Sequence, residues 1–219
     1  MDTVYAILHN NLPFLLVGAQ MTVVISLLGA LIGIVLGLLI ALARLSPHRL
    51  VSTPAGFYVD IFRSVPFIVQ LVWAFYAIPI FTGFFLTSLQ SGVIALGFYS
   101  AGFFAEIFRA GILAVPAGEG EAALAQGMTW AQSQRRVVLP IAIRKILPPT
   151  VNTLVVVIKD SSVVSVLGVG ELMFRGGSLA AFIFRPLEVL TVVAIIYVLL
   201  TFPVTLAGEF LQRRVVEVR

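Results

Sequence analysis

Cysteine is absent from the 219 residues, which excludes a disulfide framework, thiolate zinc sites and cysteine nucleophiles but leaves the redox compartment open. Charge is also scarce. Asp, Glu, Lys and Arg make up 11% of the chain, against about 25% in a typical soluble domain, whose surface must stay solvated. The 14 basic and 10 acidic residues leave net +4, too thin a surplus for a nucleic-acid groove. No Gly-x4-Gly-Lys-Ser/Thr pattern occurs, so the chain carries no nucleotide-binding loop of that type. No internal repeat is visible either. What is abundant is apolar: 60% of residues are hydrophobic and mean hydropathy is +1.08. The composition is that of an integral membrane protein.

The positions of the charges set the architecture. Residues 3–43, 64–105 and 189–208 contain no Asp, Glu, Lys or Arg. A membrane helix needs about 20 apolar residues to cross a core of about 30 Å. The first run predicts one helix, roughly 13–43. The second would be about 63 Å long as a single helix, too long for one crossing. Pro79, Thr82 and Gly83 divide it, predicting helices at roughly 57–79 and 86–113. A further span is expected at 141–168, interrupted by Lys159 and Asp160, and a last one at roughly 187–211. The expectation is an all-α membrane protein of about five spans in one transmembrane domain, 1–219. The N-terminus does not read as a cleavable signal peptide, since it lacks basic residues and its apolar run far exceeds about 15 residues.

Basic residues in short loops set the orientation. Arg44, Arg49, Arg135, Arg136, Arg144, Lys145, Arg213, Arg214 and Arg219 all fall on one side of the predicted membrane. The other side, comprising 1–12, the turn near 80–86 and the loop 169–187, has only Arg175 and Arg185. The N-terminus is therefore expected outside and the C-terminus in the cytoplasm.

The loop after the third predicted span is the most specific segment. Residues 117–135 predict a short helix that is small and polar. Ala122, Ala123 and Ala125 are strong helix formers with little bulk. Glu119 and Glu121 complement the dipole of the first turn, and Gly127 is suited to end or bend the helix. Such a helix either docks into a cleft of another protein or is an ordinary solvated connection.

Glu121, Ala122 and Ala123, then Gly127, then Val137, Leu139 and Pro140 fill, without a gap, a pattern that resembles the EAA motif of binding-protein-dependent ABC importer permeases. The flanks Phe62-Arg63-Ser64-Val65-Pro66, Val69-Gln70-Leu71, Ala105–Ile112, Asn152 and Lys159-Asp160-Ser161-Ser162 are similar to the polar amino-acid subfamily, of histidine, glutamine and arginine type. The likeness runs from about Gly18 to Arg213. Gln126 stands where the family usually has Leu, and Ser161-Ser162-Val163 replaces the more usual Thr-Ser-Leu. The resemblance implies a type I ABC importer transmembrane-domain fold in a bacterial cytoplasmic (inner) membrane, without catalytic activity, cofactor or metal of its own. It implies a second permease chain, identical or paralogous, and an extracytoplasmic amino-acid-binding protein. It also implies a pair of ATPase subunits that hold ATP and Mg. The loop at about 117–140, with Glu119, Glu121, Ala122, Ala123 and Gly127, would be the coupling segment that sits on an ATPase.

Ionisable groups at membrane depth are costly and normally face a protein interior or a watery cavity. Asp60 and Arg63 are spaced for a helical ion pair or sit at the lipid–water interface, and Arg109 anchors the cytoplasmic end of its helix. A zwitterionic amino acid needs acceptors for its ammonium and donors for its carboxylate. Glu106 is a candidate for the first, and Lys159 or the Ser161 and Ser162 hydroxyls for the second. The alternative is that Glu106, Lys159 and Asp160 pair structurally and never meet solute. Gly168 and Gly170 either loosen a gate or end a helix. Gly29, Gly33 and Gly37 form a small-residue stripe, either a seam with a partner permease or an internal contact. Phe81, Phe84 and Phe85 are expected in an interfacial belt, and Trp73, Phe75 and Tyr76 in packing or lipid contacts. A passive channel or an intramembrane enzyme is the competing class. The enzyme is disfavoured because His9 and His48 lie outside the predicted spans and Asp160 has no intramembrane Asp partner.

Overall fold

The computed structural model describes residues 2–216, with side chains for 11–212. His9, Arg213, Arg214 and Arg219 therefore lie outside the described side chains. Among the described residues the regular structure is all helical. Four stretches are long and apolar enough to cross a membrane: Asn11–Arg44, Ser88–Leu113, Trp130–Leu167 and Pro186–Gln212. They correspond to helix α1 (Asp2–Arg44), α4 (Ser88–Leu113), a composite of α6 (Trp130–Ser133), a π turn (Gln134–Val138), α7 (Leu139–Asp160) and a 3₁₀ segment (Ser161–Leu167), and finally α9 (Pro186–Val216).

The helix expected at 57–79 is not one helix. It is a pair, α2 (Arg49–Ser64) and α3 (Phe67–Thr82), bent by 111° at Val65-Pro66, and it makes the fifth span only if both arms are taken together. Pro66 restricts Val65 to an extended conformation (φ −90°, ψ 132°) and ends α2 there. Gln70 closes the break, its Nε2 donating to the carbonyls of Phe62 (3.0 Å) and Val65 (2.7 Å). Asp60 and Arg63, both exposed on α2, do not form the expected ion pair within 4 Å; the Arg63 guanidinium lies over the Phe103 ring at 5.6 Å.

Helices α1 and α4 form the central seam. The stripe Gly29, Gly33 and Gly37 resolves into an internal contact: Cβ atoms there would meet Leu96, Ser100 and Phe104 of α4, and one on Gly97 of α4 would meet Ile32 of α1. Glycine is needed because the two backbones approach too closely for a side chain. Around this seam lie two apolar clusters. One joins α1, α8 (Leu172–Ile183) and α9 through Leu15, Leu172, Val189 and Val192, all fully buried. The other joins α1, α3, α4, α7 and the 3₁₀ segment through Ile25, Leu71, Leu96 and Val164. Helix α8 occupies most of the loop expected at 169–187. Its charge is accommodated: the Arg175 guanidinium covers the Phe14 ring at 4.8 Å, and its Nε donates to the Gly170 carbonyl at 2.9 Å.

Candidate functional site

Between α4 and the composite span, α5 (Ala117–Ala125) stands at the basic end of the molecule. The single helix expected over 117–135 stops at Ala125 because Gly127 takes φ +85°. Its amide donates to the Leu124 carbonyl (2.9 Å) and the Met128 amide to Ala123 (3.2 Å), a Schellman ending that needs a left-handed residue at this position. Thr129 and Gln132 then form a reciprocal capping box that starts α6, and the Ser133 hydroxyl donates back to the Gly120 carbonyl at 3.1 Å. Only Ala123 of α5 is buried. Glu119, Glu121, Ala122, Leu124 and Gly127 are all exposed, so the helix is rigidly mounted with its acidic and small-residue surface outward.

The polar interruption expected at Lys159-Asp160 is where α7 tightens into the 3₁₀ segment. Lys159 is exposed, has no ion pair within 4 Å among the described residues, and lines a 380 Å³ cavity with Ser162, Met173, Leu190, Val193, Ala194 and Tyr197. Asp160 lies beside Tyr99, and its Oδ2 is a buried acceptor without a donor. The two serines are not the free donors expected. Ser161 is fully buried with its hydroxyl committed to the Ile158 carbonyl (2.8 Å), and Ser162 donates to the Lys159 carbonyl (2.6 Å). Short hydroxyls ending a helix find backbone carbonyls before they find anything else.

Glu106 sits elsewhere. It pairs with Arg44 at the end of α1 and with Arg109 one turn along α4, rather than with Lys159. Arg109 is thus a partner of Glu106 as well as a terminal residue of its helix. A carboxylate engaged by two guanidinium groups is a structural clamp at the basic end.

The family model for a binding-protein-dependent transport system inner membrane component matches residues 33–217. The chain belongs to that family. The permease is 34% identical over 204 residues to the arginine transport system permease protein ArtQ of Bacillus subtilis, with 93% of each chain covered. It is also 34% identical over 204 residues to the glutamine transport system permease protein GlnP of Escherichia coli K12, again with 93% of each covered. Among solved structures, it aligns with a chain of an amino acid ABC transporter with histidines at TM-score 0.87 and 33% identity, covering 94% of this permease and 96% of that chain. An inward-facing MetNI methionine ABC transporter matches at TM-score 0.78 and 26% identity, covering 94% and 97%. The fold is that of a type I ABC importer permease.

One residue of the permease escaped the sequence reading. Glu171 is fully buried and caps α8, its Oε1 accepting from the Phe174 amide (2.7 Å). Its Oε2 accepts from the Met173 amide (2.9 Å), the Tyr197 hydroxyl (3.0 Å) and the Thr22 hydroxyl (3.1 Å). Thr22 Oγ1 in turn accepts from the Leu172 amide at 3.1 Å. The available signal was an acid directly after Gly168-Val169-Gly170 and before an apolar run, the pattern of a helix cap.

Proposed function

We propose that this chain is the transmembrane subunit of an ABC importer that carries a polar amino acid across the cytoplasmic membrane by alternating access. The N-terminus is outside and the basic end cytoplasmic. The chain works with a second permease, identical or paralogous, a pair of ATPase subunits carrying ATP and Mg, and an extracytoplasmic binding protein. The observation that carries this reading is α5. An exposed nine-residue helix, closed by a Schellman turn and tied back through Ser133, is a rigid projection suited to receive force from a partner. The relatives of arginine, glutamine and histidine type support the amino-acid class.

The solute chemistry sits at the break between α7 and the 3₁₀ segment. Lys159, unpaired and facing a cavity, supplies the charge for a solute carboxylate. Asp160, with an acceptor lacking a donor, suits an ammonium. Ser161 and Ser162 shape the break rather than donate to solute, and Glu106 acts as a clamp. The test is ATP-driven uptake by the reconstituted complex across a panel of labelled amino acids and opines. Gly127→Asp and Glu121→Lys are expected to abolish uptake while the complex still inserts. ATP-driven uptake unchanged in both variants refutes the coupling role of α5. Solute flux through the isolated chain without ATP favours a channel instead.

A further inference from the structure

Glu171 does more than cap a helix. A cap needs one oxygen near the second or third helical amide, and the short side chains of Asp, Asn or Ser supply it best. Here a longer carboxylate satisfies two amides of α8 and also takes hydroxyls from α1 and α9, so three helices meet on one buried group. Two of its donors belong to residues that wall the Lys159–Ser162 cavity: Met173 through its amide and Tyr197 through its hydroxyl. On the chain's path from the cavity to Glu171 lies Gly168, at φ +76°, a conformation that glycine adopts without strain. Nothing would be met within 4 Å by a Cβ there, so the joint is open as well as permissive. The arrangement is a cluster, α1–α8–α9, gathered on Glu171, from which the chain runs back through Gly168 to the segment that bears Lys159.

We propose that Glu171 is a positioning residue for solute passage: by drawing Thr22, Tyr197 and the start of α8 onto one carboxylate, it holds α8 and the Met173–Tyr197 wall in register and so sets access to the Lys159 cavity from the outer side. This rests on the reading of that cavity as part of the solute path. Releasing Glu171 frees the wall to part from the cavity without disturbing the α1–α4 seam, which is held by separate glycine contacts.

The absence of cysteine makes a direct test available. Ala194 lines the same cavity, and Ala194→Cys introduces a single thiol for a membrane-impermeant maleimide applied from outside to the assembled transporter in right-side-out vesicles. Adding Glu171→Gln places an amide group against several donors and is expected to speed labelling about tenfold. Glu171→Asp is the decisive companion. Asp caps a helix well but is one methylene too short to reach Thr22 and Tyr197 while capping. Fast labelling and a raised KM for uptake in the Asp variant support positioning; parental labelling and KM there show that Glu171 is only a cap and overturn the proposal. If Glu171→Gln fails to assemble, Tyr197→Phe removes one bond to Glu171, and Thr22→Val removes one bond to Glu171 together with the one that Thr22 accepts from the Leu172 amide, each with an expected acceleration of about threefold. Unchanged rates in both overturn the proposal. Protection of the Ala194→Cys thiol by amino acids in the otherwise native chain reports separately on the cavity. Its absence refutes the solute reading there and leaves the Glu171 labelling result standing as its own measurement.

Discussion

Glu106 and Glu171 hold the same helix, α1, one at its C-terminal end through Arg44 and the other at its middle through Thr22, but by different chemistry. At the basic end, the Glu106 side chain is 26% exposed between Arg44 (19%) and Arg109 (28%), so three charges share one site within reach of water. At mid-helix Glu171 has no exposed surface, and all its partners are neutral: two amides and two hydroxyls. A charge cluster near water can relax, resolvate or exchange partners at small cost. A buried acceptor surrounded by neutral donors cannot, because each donor it loses has nowhere else to go. The middle and the basic end of α1 are therefore expected to differ in stiffness, with the basic end the more adaptable.

The largest effect should come from making Glu171 apolar. Glu171→Leu leaves the Thr22 and Tyr197 hydroxyls and two α8 amides facing hydrocarbon, at about 1–3 kcal/mol for each donor that finds no new partner. The expected outcome is a loss of at least ~3 kcal/mol, read as a steep fall in detergent-solubilised melting temperature and in membrane yield. A melting curve like that of the parent would show that water or other groups already serve these donors.

A smaller effect belongs to the basic end. Glu106→Gln leaves Arg44 and Arg109 side by side without a counter-charge, but both guanidinium groups reach solvent, so about 1 kcal/mol is expected rather than the several of a buried pair. The double variant Arg44→Gln with Glu106→Gln should recover part of that loss. Strict additivity of the two single changes in thermal melts would mean that the α1–α4 clamp contributes nothing as a pair.

These two sites also separate what the sequence reveals from what it conceals. The spans were legible because a charge-free run of sufficient length has few fates other than crossing a membrane. The EAA spacing placed α5 and Gly127 for the same reason of local pattern, and the left-handed Gly127 is what ends that helix. The break at Val65-Pro66 lay inside an unbroken apolar run, so a criterion based on charge passed over a proline that could have marked it. Helix α8 lies in a stretch that reads as loop in the sequence, where Arg175 interrupts the apolar run, although that charge is absorbed by Phe14 and a carbonyl. The partners of the two acids were out of reach altogether. Glu106 finds Arg44 at a separation of 62 residues and Glu171 finds Thr22 at 149, distances at which no helical periodicity carries information. Lys159 is one partner to expect for a membrane glutamate, yet the fold gives that role to Arg109 on the same helix and to Arg44 at the end of another.

The smallest effect is also the cleanest discriminator between the two sites, since it needs no variant beyond Glu106→Gln and Glu171→Leu. Raising ionic strength from about 0.1 M to 1 M shortens the screening length from about 10 Å to about 3 Å, which weakens interactions among charges that water reaches and leaves desolvated neutral-donor contacts nearly untouched. The Arg44–Glu106–Arg109 cluster should therefore lose most of its contribution, and the penalty of Glu106→Gln should shrink to below ~0.5 kcal/mol in high salt. The Glu171→Leu penalty should be the same at both salt concentrations. Because bulk salt effects on detergent and on the rest of the protein are common to parent and variants, the quantity to compare is the difference in melting temperature from the parent at each concentration. Equal shrinkage of both penalties would mean that Glu171 is reached by water, and the contrast drawn between the middle and the basic end of α1 would fail at its buried site. A Glu106 penalty that ignores salt would instead mean that the arginine clamp is shielded as thoroughly as the Glu171 node. The basic end of α1 would then be as rigid as its middle, and motion of α5 would have to be taken up beyond Leu113, in the short link that joins it to α4.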